Sequence, residues 1–325
     1  MRITLLGAGA WGTALAKILQ ENGNAVTLWD RDGAQLAQIQ RGANEKYLPG
    51  VKLPDDWKTQ PDFSKAIGGA ECVVLAIPSQ AFRETAAKLK GHPGIFVSVT
   101  KGIEFATGET MSRILREQAP ADRVAALSGP SFAREVALGV PTTVVCACES
   151  EGTAKTVQGI FHRPEFRIYR SADIVGVEYG GALKNVIAIA AGVGDGLGYG
   201  DNTKAGLVAR ALAEMKRLGV ACGAQAETFS GLSGLGDLML TCFSKQSRNR
   251  DLGERLGRGE TIAGIVASHP KLAEGYPTAR SAHRLAQQKK VITPVIDEVF
   301  AMLYENKDPK QAVRDLISRS FKAED

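Results

Sequence analysis

RITLLGAGAWGTALAKILQENGNAVTLW, residues 2–29, decides the fold. RITLL at 2–6 is a short apolar strand. Gly7, Gly9 and Gly12 then fall in a GxGxxG spacing that opens an apolar helical stretch from Trp11 to Glu21. Asn22-Gly23 is a good helix stop. AVTLW at 25–29 is a second strand, ending at Asp30. A glycine triplet alone is weak, but between a strand and a helix it carries a mechanism. The glycines permit a tight turn and close backbone approach, and the helix start offers unpaired N–H groups to a pyrophosphate.

Working outward, apolar runs recur at ECVVLAIP (71–78), IFVSVT (95–100), VAALSG (124–129) and TTVVCA (142–147), several of them separated by helix-like segments. Near-continuous Val/Ile/Ala strands alternating with helices predict an α/β domain with a Rossmann-type, mostly parallel, doubly wound sheet over residues 1–173. The texture changes near residue 174. VGVEYGGALKNVIAIAAGV (175–193) is long, apolar and rich in small residues, and helical periodicity follows at 203–222, 227–242, 249–258, 275–289, 293–306 and 309–321. Residues 174–325 therefore read as an all-α domain.

The 325 residues leave room for two domains. Net charge is +5, but residues 1–173 carry 20 basic and 18 acidic side chains and the remainder 20 and 17. No basic face or tail stands out, so no nucleic-acid partner is expected. Five cysteines are too few and odd in number for a disulfide scaffold, and suit a reduced cytoplasmic protein. Cys146 and Cys148 share a strand face, but no second pair has ligand spacing, and no metal is expected. The longest run without Asp, Glu, Lys or Arg is fourteen residues, 3–16, short of the ~18 a membrane span needs.

In an open α/β sheet, ligands lie beyond the carboxyl ends of the strands. Lys101 sits just past IFVSVT, and Gly129-Pro130-Ser131 just past VAAL, so both crowd that edge. Lys184 lies inside GALKNVIAIAAG, where an unpaired lysine is seldom buried. A lysine that is desolvated beside another cation is a usual way to bring an amine toward proton exchange near neutral pH, which suits an acid/base for an alcohol–ketone pair. Asp237 in GLGDLMLTC shares a helical face with Thr241 and is the candidate partner for Lys184. Ser247-Arg248-Asn249-Arg250 offers a planar guanidinium fork and neutral donors to phosphate oxygens, although SRNR is also a common solvated loop.

Together these motifs resemble the bacterial NAD(P)-dependent glycerol-3-phosphate dehydrogenase family. The matching segments, in that family's order, are GAGAWGTALA (7–16), YLPG (47–50), TKGIE (100–104), SGPSFAREV (128–136), GVEYGGALKNVIAIAAG (176–192), GLGDLMLTC (234–242), SRNR (247–250) and EGYPTA (274–279). The resemblance implies hydride transfer between NAD(P) and C2 of dihydroxyacetone phosphate, giving sn-glycerol 3-phosphate for phospholipid synthesis in the cytoplasm. It assigns proton transfer to Lys184, with Asp237 and Lys101 beside it. It places Gly129, Ser131, Ser247, Arg248 and Asn249 around the substrate. On the cofactor side it places Gly7, Gly9, Ala10, Trp11, Gly12, Arg31, Tyr47, Lys101, Ala133, Arg248, Leu272 and Glu274. Trp29-Asp30-Arg31 presents both an acid for an adenosine ribose and an arginine for a 2′-phosphate. Both cofactors are expected to work, NADPH modestly better, and the expected assembly is a homodimer. Other two-domain dehydrogenases, of the 6-phosphogluconate or β-hydroxyacid type, would lack SRNR together with GLGDL. A catalytically dead nucleotide sensor would lack Lys184 or Asp237.

Overall fold

A computed structural model describes residues 1–54, 56–268 and 273–319. The chain divides into two compact units, residues 1–101 with 109–178, and residues 102–108 with 179–325. The sequence reading places its boundary at 173/174 and does not foresee that the short segment 102–108 groups with the second unit.

The first unit is built on β1 (Arg2–Leu6), α1 (Ala10–Glu21), β2 (Ala25–Trp29), α2 (Gly33–Ile39), β3 (Lys58–Thr59), α3 (Phe63–Ile67), β4 (Cys72–Leu75), α4 (Phe82–Ala87), β5 (Ile95–Ser98), α5 (Met111–Arg116), β6 (Val124–Ser128), α6 (Ala133–Ala137), β7 (Thr142–Ala147), α7 (Glu151–Phe161) and β8 (Phe166–Ser171). The sheet order is β3-β2-β1-β4-β5-β6-β7-β8. All neighbours are parallel except β6 and β7. Side chains alternate across a strand, so the two sheet faces can be read from the sequence. Ile3 and Leu5 of β1, Val74 of β4 and Val97 of β5 join one buried cluster with Leu15, Leu19 and Phe161. Leu6, Val73, Leu75 and Phe96 join another with Phe82 and Leu115. Both faces are covered, which is what forces strands as uniformly apolar as CVVL.

Two strands lie outside the runs singled out in the sequence. β3 has two residues. β8 (FRIYRS) buries Phe166 and Ile168 and turns Arg167, Tyr169 and Arg170 outward, as suits a charged edge strand.

The second unit is helical. α8 (Ile174–Gly196) gives its first residues to the first unit and the rest to this one. It is followed by α9 (Asp201–Ala221), α10 (Asp237–Phe243), α11 (Arg248–Gly257), α12 (Ile262–Ser268), α13 (Gly275–Lys289), α14 (Pro294–Tyr304) and α15 (Pro309–Ile317). By length and apolarity α8 could cross a membrane, but 94% of that window is buried among the described residues, as in a core helix. Its small residues have a packing cause. A Cβ at Gly192 would lie 1.9 Å from the Arg250 carbonyl oxygen, and one at Gly253 2.0 Å from that of Ile189. The backbones of α8 and α11 therefore touch, glycine against helix on both sides.

The continuous helix expected over 227–242 is broken. A 3₁₀ turn (Ala226–Ser230) and a π-helical turn (Leu232–Gly236) precede α10. A side chain at Gly234 would meet the Phe229 carbonyl oxygen at 2.1 Å, and one at Gly180 would meet that of Ser233 at 2.7 Å. Close backbone approach, rather than local periodicity, sets the path here.

Candidate functional site

In the first unit the glycine loop leaves β1 with Gly7 at φ +106°, its N–H donating to the Trp29 carbonyl at 2.8 Å. A Cβ at Gly7 would meet the Ala76 carbonyl oxygen at 2.4 Å, and one at Gly12 the Gly7 carbonyl oxygen at 1.9 Å. Side chains at either position are excluded by backbone. Gly9 faces open space and caps α1 with no side-chain partner. The residues thus fit a pyrophosphate: a helix start with unpaired N–H groups and no Cβ in the way.

Ala8 is held from both sides. Its N–H donates to Asp30 Oδ2 at 2.7 Å. Its carbonyl accepts from Asn44 Nδ2 at 3.2 Å, Thr13 Oγ1 at 3.3 Å and Gln35 Nε2 at 3.5 Å. Gln35 and Asn44 are joined at 2.6 Å, and Asn44 also donates to Thr13 at 2.7 Å. Ala8, Thr13, Gln35 and Asn44 are all buried. Asp30 Oδ1 takes the Asp32 N–H at 3.0 Å. Asn44, Gln35 and Thr13 escaped the sequence reading: Asn44 lies in a loop with no periodicity, and Thr13 in α1 and Gln35 in α2 are single polar residues whose partner is a backbone carbonyl.

Three candidates meet at the carboxyl edge of the same sheet. Lys101 Nζ donates to the Gly129 carbonyl at 3.1 Å, and Ser131 Oγ donates to that same oxygen at 2.9 Å. Gly129 has φ +142° and lies against the Val144 backbone, so only glycine fits. Ala133 begins α6, half-buried on the core. Trp11 is half-buried beside Phe166, ring centroids 6.4 Å apart. Tyr47 is half-buried with Lys46 Nζ 5.1 Å from its ring centroid, and Arg31 is exposed after β2.

In the second unit Lys184 and Asp237 are buried and form an ion pair. Lys184 Nζ also donates to Thr241 Oγ1 at 2.8 Å, while that hydroxyl donates to the Asp237 carbonyl at 2.6 Å. The π turn ends where Asp237 begins, so the irregular backbone delivers this carboxylate to α8. Thr241 was seen in the sequence only as a helical neighbour of Asp237; its contact with Lys184 makes it part of the cluster.

SRNR divides. Ser247 Oγ caps α11 by accepting the Arg250 N–H at 3.2 Å. Asn249 is buried, donating to Asn185 Oδ1 at 2.9 Å and accepting from the Gly275 N–H at 2.8 Å. Arg250 lies in a buried ion network, 2.5 Å from Asp195, which also holds Lys204 at 2.5 Å. Arg248 alone of the four is exposed. Glu274, half-buried, precedes α13. Leu272 lies outside the described residues. Among the described residues no three His, Cys, Asp or Glu side chains cluster as a metal site, and burial pushes the thiols of Cys72 and Cys146 up to about 12. A cavity of about 1020 Å³ between α8, α9, α14 and α15 is lined by none of the candidate side chains.

The sequence matches the family models described as the NAD-dependent glycerol-3-phosphate dehydrogenase N-terminus, over residues 2–154, and C-terminus, over residues 173–314. It is 49% identical to the NAD(P)+ glycerol-3-phosphate dehydrogenase of Syntrophotalea carbinolica over 100% of this chain and 99% of that one. It is 48% identical to that of Anaeromyxobacter dehalogenans over the whole of both. Among solved structures, glycerol-3-phosphate dehydrogenase from Coxiella burnetii superposes with a TM-score of 0.93 at 36% identity, covering 98% of this chain and 99% of that one. D-mandelate dehydrogenase, with a TM-score of 0.65 and 12% identity, covering 96% and 99%, shares the fold. The chain belongs to the NAD-dependent glycerol-3-phosphate dehydrogenase family.

Proposed function

We propose that this member of the family reduces dihydroxyacetone phosphate to sn-glycerol 3-phosphate, and catalyses the reverse, with either NADH or NADPH. The observation that carries this reading is the buried Lys184–Asp237–Thr241 cluster in an otherwise apolar helix pair. A bound reduced nicotinamide supplies a hydride to the carbonyl carbon. Lys184 Nζ gives a proton to the carbonyl oxygen as charge develops there, and takes it back from the alcohol in reverse. Asp237 and Thr241 fix where that amine points. Lys101, aimed by the Gly129 carbonyl, meets the same anionic substrate. Arg248, exposed at the first position of α11, binds the substrate phosphate together with Asn249 and Ser247, and remote binding of this kind raises the rate of the chemical step.

On the cofactor side the glycine loop takes the pyrophosphate and Arg31 the 2′-phosphate, giving a modest preference for NADPH. The enzyme works in the cytoplasm as a homodimer and supplies glycerol 3-phosphate to phospholipid synthesis. The test is cofactor oxidation at 340 nm with dihydroxyacetone phosphate. The expected result is turnover with that ketone, together with NAD(P)+ reduction by sn-glycerol 3-phosphate but not by 2-hydroxy acids or 6-phosphogluconate. Absence of cofactor oxidation in a folded protein would remove the assignment.

A further inference from the structure

We propose that Asn44, Gln35 and Thr13 are positioning residues for cofactor binding, and that Asp30 braces the same loop instead of reading the adenosine ribose. This rests on the reading of the glycine loop as the cofactor's pyrophosphate site. A trans peptide points its C=O and N–H in opposite directions. The Ala8 carbonyl is turned into the protein by three side-chain donors, so the Gly9 N–H of the same peptide is turned out, where a side chain at Gly9 would meet nothing within 4 Å. The preceding peptide is fixed through the Ala8 N–H on Asp30. Without these partners the turn has rotational freedom, because glycines flank Ala8 on both sides. The side-chain network thus fixes in advance the N–H that a pyrophosphate needs, and ordering cost is removed from binding.

Asp30 has each carboxylate oxygen on a backbone N–H, of Ala8 and of Asp32. Its acceptors are directed at its own loop. A carboxylate so engaged discriminates little between a ribose 2′-hydroxyl and a 2′-phosphate, which fits a chain using both cofactors.

The test measures NADH and NADPH affinity by cofactor fluorescence in the full chain and in Asn44→Leu, Gln35→Leu, Asp30→Ala and Gly9→Val, with thermal melts as the folding control. Asn44→Leu is expected to weaken both cofactors by the same factor, about 5- to 50-fold. Gln35→Leu, which removes the longest contact, should do so by less. KM for dihydroxyacetone phosphate and kcat at saturating cofactor should stay near the parent, a split that general loosening of the fold would not give. Asp30→Ala should weaken NADH and NADPH alike. Parent affinity in folded Asn44→Leu and Gln35→Leu would overturn the carbonyl arm, and a loss confined to one cofactor in Asp30→Ala would overturn the brace. If Asn44→Leu fails to fold, Gln35→Leu and Thr13→Val decide. Gly9→Val, whose Cβ meets no protein atom within 4 Å but stands where the pyrophosphate would lie, separates the two readings: retained cofactor binding there removes the loop as the site, whereas loss there with unaffected Asn44→Leu and Gln35→Leu removes the positioning role alone.

Discussion

Around Ala8 in the first unit, side chains converge on backbone groups. Asn44, Gln35, Thr13 and Asp30 all act on two peptides, and the groups they leave exposed to a ligand are N–H donors. Around Lys184 in the second unit the relation is inverted: helix backbones are packed glycine to carbonyl, and the side chains they carry converge on one another. The first arrangement suits an anion, offering it neutral dipoles, and has no group placed to move a proton. The second holds a charged amine where water is excluded and can move one. Nucleotide binding and proton transfer therefore place opposite demands on sequence, one on where side chains are absent and the other on a single polar residue in an apolar stretch.

The strongest way to break this contrast is Lys184→Met, which keeps length and apolar bulk. Single-turnover hydride transfer should fall by ~10²–10⁴-fold, the usual contribution of a positioned acid. Cofactor affinity should not change. Stopped-flow rates near the parent would leave Lys184 a structural lysine and Lys101 the better proton donor.

Arg248→Ala and Arg250→Ala sharpen it within one helix. Arg248 is exposed, so its removal should leave Tm in place and weaken binding and rate with dihydroxyacetone phosphate by ~2–5 kcal/mol if the phosphate contact is desolvated. Unphosphorylated dihydroxyacetone should be a poor substrate of the parent. Arg250 is buried against Asp195 and Glu254, and removing one partner of such a pair costs ~3–5 kcal/mol of stability. A fall in Tm for the first variant and not the second would reverse the two roles.

These adjacent arginines show how far a sequence can be read. SRNR has the composition of a phosphate clamp, and composition cannot say which of two arginines faces out; that depends on the phase of α11 against α8, set by Gly192 and Gly253 meeting backbone. Lys184 and Asp237 were legible because a charge in an apolar helix needs a partner. The doubly wound sheet was legible because both faces of its strands are buried. The Asn44 network was not, because its chemistry is addressed to a carbonyl that every residue possesses. The break at 231–236 was not either, because glycines in a helical pattern do not reveal which backbone will press on them.

Glu214 sharpens the contrast between two buried carboxylates of the second unit. Asp237 has an ammonium partner, whereas Glu214 caps α14 through the N–H groups of Val295 and Ile296 at 3.0 and 3.4 Å. Burial outweighs these bonds and pushes the Glu214 carboxyl up to about 7. The folded state then binds more protons than the unfolded chain between about 4.5 and about 7. Stability should therefore decline as pH rises through that window, by on the order of 3 kcal/mol, and level off above it. Glu214→Gln should flatten the decline in melts from pH 5 to 8. An unchanged slope in the variant would assign it to other groups.

The smallest effect is expected at Arg31, the side chain of the first unit proposed to touch the 2′-phosphate. Arg31 is exposed beyond β2, and its neighbour Asp30 is occupied by the loop. An exposed ion pair is worth ~0.2–1 kcal/mol. Arg31→Ala should accordingly raise KM for NADPH only about 2- to 5-fold and leave KM for NADH alone. The effect should shrink as salt rises from about 0.01 to 0.15 M, because the Debye length contracts from about 30 to 8 Å. Backbone N–H donors to the pyrophosphate are neutral, so the loop's own contribution should vary less over the same range. Equal losses for both cofactors would mean that Arg31 acts through the loop and does not touch the 2′-phosphate.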